Sequence, residues 1–139
     1  MAPPKDIVTV ARNVRKWAMR KRHGLDASPD LEGMCAIASY KLFLSLLAAG
    51  HKDVALCVNE EHAFVRCAEW VVDVTATQFS GMKFSNAQFP KKYKPTEVRK
   101  LAEHTSEGMW EIEEELKTIG DIQDHFRDWP DEQRPLFNE

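Results

Sequence analysis

Gly33-Met34-Cys35-Ala36-Ile37-Ala38-Ser39-Tyr40-Lys41-Leu42-Phe43-Leu44-Ser45-Leu46-Leu47-Ala48-Ala49-Gly50 carries apolar side chains nearly all round a helical projection. That is the pattern of a helix buried on most faces. The segment predicts a helix from Met34 to Ala49. Small residues in its first half (Ala36, Ala38, Ser39) permit close approach to a sheet, and Gly50 is a left-handed stop.

Downstream the hydrophobic period changes. Asp53 to Asn59, His62 to Cys67 and Trp70 to Thr75 are short, Val-rich and separated by turn-like residues, so they read as consecutive antiparallel strands. Taking Arg66 to Glu69 as the turn of the second hairpin sets Val65 opposite Trp70, Phe64 opposite Val71 and His62 opposite Asp73. Upstream, Ile7, Val10, Val14 and Trp17 recur on one face of a helix from about Asp6 to Lys21, with Gly24 as its stop and a loop through Asp26 to Gly33. Beyond Gln78 the chain is irregular and basic around Lys91, Lys92 and Lys94. Thr96, a good cap with Glu97 behind it, predicts another helix. A further helix from Ser106 or Glu107 to Lys117 then precedes an acidic, Pro-containing tail. The expected fold is α+β, a single domain over 1–139. Its central helix, with an N-terminal Cys, packs on a small antiparallel sheet and is flanked by N- and C-terminal helices.

Cys35 falls in the first turn of the central helix. Unpaired backbone N–H groups and the positive end of the helix dipole favour a thiolate there, and the thiolate is the nucleophilic form. The same N–H groups can receive an oxyanion formed on attack. Directly opposed side chains on paired strands have Cβ atoms about 5 Å apart. Asp73 opposite His62 is therefore placed to hold the imidazole and fix its tautomer. Cys35, His62 and Asp73 are the candidate catalytic residues.

A helix opened by Gly33-Met34-Cys35, a strand His62-Ala63-Phe64-Val65, and a strand running Val72-Asp73-Val74-Thr75-Ala76-Thr77-Gln78-Phe79 together resemble the papain-like fold in its transglutaminase-like form. The resemblance covers about residues 30–79. It implies a nucleophilic Cys at the start of the central helix, with His and Asp on successive strands. It also implies acyl transfer through a Cys thioester, most plausibly hydrolysis of an amide or peptide bond, on a peptide or protein substrate. Phe64 stands where many relatives carry Trp. No Gln precedes Cys35, so the upstream oxyanion amide of papain-type proteases is missing; an indole N–H can replace it, and Trp17 is the only upstream Trp. The alternative function is a non-catalytic interaction module that keeps the fold.

Other classes fare worse. The three cysteines, Cys35, Cys57 and Cys67, are an odd number in unrelated contexts, which argues for reduced thiols in a cytoplasmic protein rather than a disulfide framework. Together with His62 and Asp73 they lack the compact spacing of a metal site, and no cofactor motif is present. The apolar stretch Leu42 to Ala49 is too short to span a bilayer. Basic residues crowd 1–25, where only Asp6 opposes them, and acidic ones crowd the stretch from Glu97 onward, for a net charge of -3. Neither basic run fits a nucleic-acid-binding module, so solvated helix faces are the expected meaning.

Overall fold

The computed structural model describes residues 2–21, 34–59, 62–76, 83–84, 87–88, 96–106, 111–135 and 137. Helix α1 (Lys5–Lys21) buries Ile7, Ala11, Val14 and Ala18 against α2 (Cys35–Ala48). These four recur every three to four residues, so one stripe faces inward while Lys5, Arg12, Lys16 and Arg20 stay in water. At the end of α2, Gly50 takes φ +99° and Gly50 and His51 donate back to Leu47 and Leu46. This is a left-handed cap that glycine enters without steric cost.

Five antiparallel strands form the sheet, in the order β6-β3-β2-β1-β7: β1 Val54–Val58, β2 Ala63–Cys67, β3 Trp70–Asp73, β6 Glu97–Lys100 and β7 Glu114–Leu116. A separate two-stranded ladder joins β4 (Lys83–Phe84) to β5 (Ala87–Gln88). Helix α2 lies on β1 and β2. Alternation sends Leu56, Val65, Val72 and Leu116 to the α2 side, into a core shared with Leu42, Phe43 and Leu46 of the helix. Ser39 donates to the Ala63 carbonyl at 3.0 Å, which ties helix to strand where a larger side chain would hold them apart. The α+β architecture with Cys35 opening the central helix is as the sequence led us to expect.

The second hairpin turns more tightly than expected. Cys67 pairs with Trp70 and Val65 with Val72, so only Ala68 and Glu69 form the turn, and Val65 does not face Trp70. Ala68 adopts φ +52°, the hand that matches strand twist in a two-residue turn. Its amide donates to Asp53, and its carbonyl accepts from Arg66. These contacts hold an alanine where a sequence reader looks for Gly or Asn.

The C-terminal third also departs from expectation. Glu97 to Lys100 is an edge strand rather than a helix start: Val98 lies against the core, and the four residues complete a ladder with β3. Helix α3 (Leu101–Ser106) is a short continuation. The helix expected up to Lys117 is replaced at its end by β7, which pairs with β1 and buries Leu116. The clear terminal helix is α4 (Ile119–Phe126), capped by Thr118, whose hydroxyl accepts from the Asp121 amide at 3.1 Å; a 3-10 turn follows at Asp131–Gln133. Tertiary pairing to β3 and β1 overrides a capping signal at Thr96 and a run of glutamates. Gly24, the loop Asp26 to Gly33, Glu60, Glu61, Gln78, Phe79, Lys91, Lys92, Lys94 and Glu107 lie outside the described residues.

Candidate active site

Cys35 is the first residue of α2. The N-cap position is Met34, which makes no side-chain capping bond, and the first turn holds no acidic residue. Among the described residues, neither the N-cap side chain nor an acidic residue of the first turn occupies the backbone N–H groups at this positive end of the helix dipole. Cys35 is 7% exposed.

His62 is fully buried, just before β2. Asn59 clamps its backbone on both sides: the Asn59 Oδ1 accepts from the His62 amide at 2.9 Å, and the Asn59 amide donates to the His62 carbonyl at 3.1 Å. Asn59 itself donates to the Glu111 carbonyl at 3.2 Å, so the turn is anchored to the chain leading into β7. The imidazole Nε2 lies 2.7 Å from Asp73 Oδ2. Extending the β2–β3 register by one pair sets Asp73 opposite Phe64, and by three pairs sets Thr75 opposite His62. The contact thus forms diagonally across the strands, not between directly opposed residues as the sequence suggested. A diagonal pair remains within reach of long or aromatic side chains.

The second carboxylate oxygen of Asp73 is also engaged. Oδ1 accepts from the Thr75 amide at 3.0 Å and from the Thr75 hydroxyl at 3.3 Å. One oxygen meets histidine and the other meets Thr75, so the carboxylate plane is fixed from two sides. The backbone between them is held too, because Arg15 of α1 donates to the Val74 carbonyl at 2.7 Å. Sequence inspection overlooked Thr75, Asn59 and Arg15. Thr75 sits in the segment singled out for Asp73, and a Thr two residues after an Asp is a recognisable local capping arrangement. Nothing in the sequence points to Asn59 or Arg15, which act through contacts between distant elements.

Burial alone depresses the His62 pKa. The Asp73 charge and hydrogen bond outweigh it, and the nearby Cys35 thiol acts in the same direction, so the pKa rises from 6.5 to about 10. The charged form of His62 is favoured, with the Asp73 carboxylate against Nε2 and the Cys35 thiol near enough to act on the ring. Nε2 is committed to Asp73, whereas the buried Nδ1 makes no hydrogen bond to the Cys35 thiol. The structure joins His62 to Asp73 by a hydrogen bond and brings Cys35 near enough to influence the same ring.

The other two thiols stand apart. Cys57 is fully buried mid-strand, and burial, followed by the charge of Glu115, pushes it up to about 12. Cys67 is raised chiefly by burial and packs between Val54 and Trp70. All three cysteines are free. Among the described residues no cluster of three His, Cys, Asp or Glu side chains converges on a point that could hold a metal ion. Nor is any described helix long and apolar enough to cross a membrane.

A groove of about 260 Å³ runs along α2 between Trp17, Ile37, Tyr40 and Leu44 on one side and Arg134 and Pro135 on the other. Its helical stripe, Met34, Ile37, Lys41 and Leu44, is the face of α2 turned away from Ser39, Leu42 and Leu46, and neither Cys35 nor His62 lines it. Trp17, considered above as an oxyanion donor, belongs to this groove, where the Lys41 and Lys21 ammonium groups lie 5.2 and 5.8 Å from its ring centroid.

Comparison of the chain with family models, curated proteins and solved structures finds no match.

Proposed function

We propose that the protein is a cysteine-dependent acyl-transfer enzyme of papain-like, transglutaminase-like character that hydrolyses an amide or peptide bond of a peptide or protein substrate. One contact set supports it above the rest: a fully buried imidazole joined to Asp73 at 2.7 Å and influenced by the Cys35 thiol at a helix start. Asp73 from β3 and Cys35 from α2 both act on one imidazole, which is what a nucleophile, base and orienter require.

In this scheme Cys35 Sγ, as thiolate, attacks the carbonyl carbon. The developing oxyanion is received by the first-turn N–H groups of α2, which the N-cap residue Met34 leaves uncapped. As the tetrahedral intermediate collapses, the C–N bond breaks, His62 gives its proton to the departing nitrogen, and a thioester remains. Water then attacks the thioester, His62 takes its proton, and the thiolate leaves with the acid as product. Asp73 stays ionised throughout and holds the imidazole, and Thr75 holds Asp73.

The slight exposure of Cys35, and a groove that runs along the other face of α2, favour the second reading, a non-catalytic interaction module. Brief treatment with iodoacetamide at pH 6, followed by peptide mass mapping, separates the two. The enzyme reading expects carbamidomethyl on Cys35 and none on Cys57 or Cys67. No modification of Cys35 before the protein is unfolded would leave the module reading in its place.

A further inference from the structure

Phe64 lies two residues along the chain from His62 and, by the β2–β3 register, opposite Asp73, so all three side chains share one face. Its ring is 1% exposed and stacks beside the imidazole, with centroids 5.8 Å apart and planes 29° from parallel. The buried His104 of α3 also packs against the Phe64 ring, with centroids 5.2 Å apart. We infer that Phe64 is a positioning residue of the His62–Asp73 pair, whose ring fixes the plane of the imidazole and offers its negative π face to the imidazolium form. The inference rests on the catalytic reading for its consequence at Cys35, but not for the Phe64–His62 contact itself.

The physical case has two parts. A ring stacked on the imidazole removes one rotation that would turn it out of the plane set by Asp73, since the planes can turn only by displacing a closely packed neighbour. A cation within about 6 Å of an aromatic centroid is also attracted by the ring quadrupole, most strongly where water is absent, and both rings here are almost wholly buried. Other groups facing His62 are Cys35 from α2, the Asn59 turn, and Asp73 and Thr75 from the end of β3. Glu97 of β6 pairs with Asp73 across the ladder and is itself joined to Arg99, so a second charged pair borders the first. Phe64 is the only apolar ring that the described residues place against the imidazole.

The test is a side-by-side NMR titration of His62 and a pH profile of Cys35 alkylation. It uses the parent, Phe64→Leu, and protein in which Phe64 is replaced by pentafluorophenylalanine. The fluorinated ring keeps the shape and reverses the quadrupole, so a purely steric role would not register in it, and it covers the case in which the leucine variant folds poorly. The expected result is a fall of the His62 pKa by roughly 0.5 to 1.5 in the leucine variant and at least as much in the fluorinated one. At pH 6 the imidazole stays charged after such a fall, so a several-fold loss of Cys35 alkylation is expected only in the leucine variant, where the ring no longer holds the imidazole in its plane. An unchanged His62 titration in the folded fluorinated protein overturns the inference. A shifted titration with unchanged alkylation in the leucine variant leaves Phe64 in its role toward His62 and removes the catalytic reading instead.

Discussion

Asp73→Asn is the substitution on which the geometry speaks most directly. The change keeps the shape and removes the charge. An asparagine at this position must choose which end faces Thr75, whose backbone N–H points at Oδ1 from 3.0 Å and cannot be reversed. That fixed donor demands the amide oxygen, which leaves the NH₂ group facing His62 Nε2, 2.7 Å from the present oxygen. A nitrogen that meets a donor must itself accept, so the imidazole proton is driven to Nδ1, the side of the thiol. There it can no longer receive a proton from Cys35. The opposite orientation sets the amide N–H against the Thr75 N–H and forfeits a buried hydrogen bond, at a cost of about 1–3 kcal/mol. Loss of the charge also removes the strongest influence that raises His62; burial then dominates, and its pKa falls below the ordinary histidine value. The imidazole becomes neutral at pH 7 and the cation beside the sulfur disappears. An ordinary thiol at pH 6 is thiolate only to about 0.3%, so Cys35 alkylation there should fall by up to about 10². Turnover, which also needs the correct tautomer, should fall by about 10² to 10⁴, the larger figure being the cost of the equivalent change in serine enzymes. Because His62 can discharge rather than remain an unpaired buried cation, the stability loss should stay near 1–3 kcal/mol, several degrees of Tm. The assay is the second-order rate of iodoacetamide on Cys35 at pH 6, with the His62 titration followed by NMR. A variant with the parent's rate and the parent's His62 pKa would refute the orienting role of Asp73.

Thr75→Val removes the longer of the two Thr75 contacts, at 3.3 Å, and keeps the backbone donor at 3.0 Å; Cys35 alkylation should slow only a few-fold, with the His62 titration in place, as the same rate measurement will register. Ala68→Gly should raise stability by about 0.5–1 kcal/mol in urea melts, because the φ of +52° strains an L-residue and costs glycine little. His62 is raised in the folded state, so its contribution to stability is complete below the unfolded value of ~6.5 and is lost as pH climbs through about 10. The difference in Tm between the parent and Asp73→Asn should accordingly shrink from pH 6 to pH 10, as scanning calorimetry at a series of pH values will measure.

Much of this site was legible before any coordinates. The run from Met34 to Ala49 is apolar on nearly every face, so it had to be a central helix, and a cysteine at its start inherits the helix terminus whatever the tertiary detail. The alternation of β2 and β3 brought His62 and Asp73 onto one face, and that survived a shift of hairpin register because a shift by two residues preserves the face. The turn itself was misjudged because Ala68 is left-handed, and no intrinsic preference of alanine announces that. Local signals also failed at Glu97 and Glu114. Each begins a strand that exists only as an edge partner, for β3 and β1 respectively, and pairing across long sequence distances leaves little trace in strands of four and three residues. The supports of the site followed the same rule. Thr75 was within reach of sequence reasoning, but Arg15 acts across 59 residues and the Asn59 side chain across 52.

The claim that joins these observations is that His62 acts on Cys35. The pH dependence of Cys35 alkylation in the parent and in His62→Ala tests it most directly. If His62 supplies the cation beside the sulfur, the parent's Cys35 reacts at pH 6 and His62→Ala reaches comparable rates only toward the ordinary thiol range near pH 8.5. Superimposable profiles would mean that the imidazole, though buried and bound to Asp73, does nothing for the thiol, and the acyl-transfer function would fall with it.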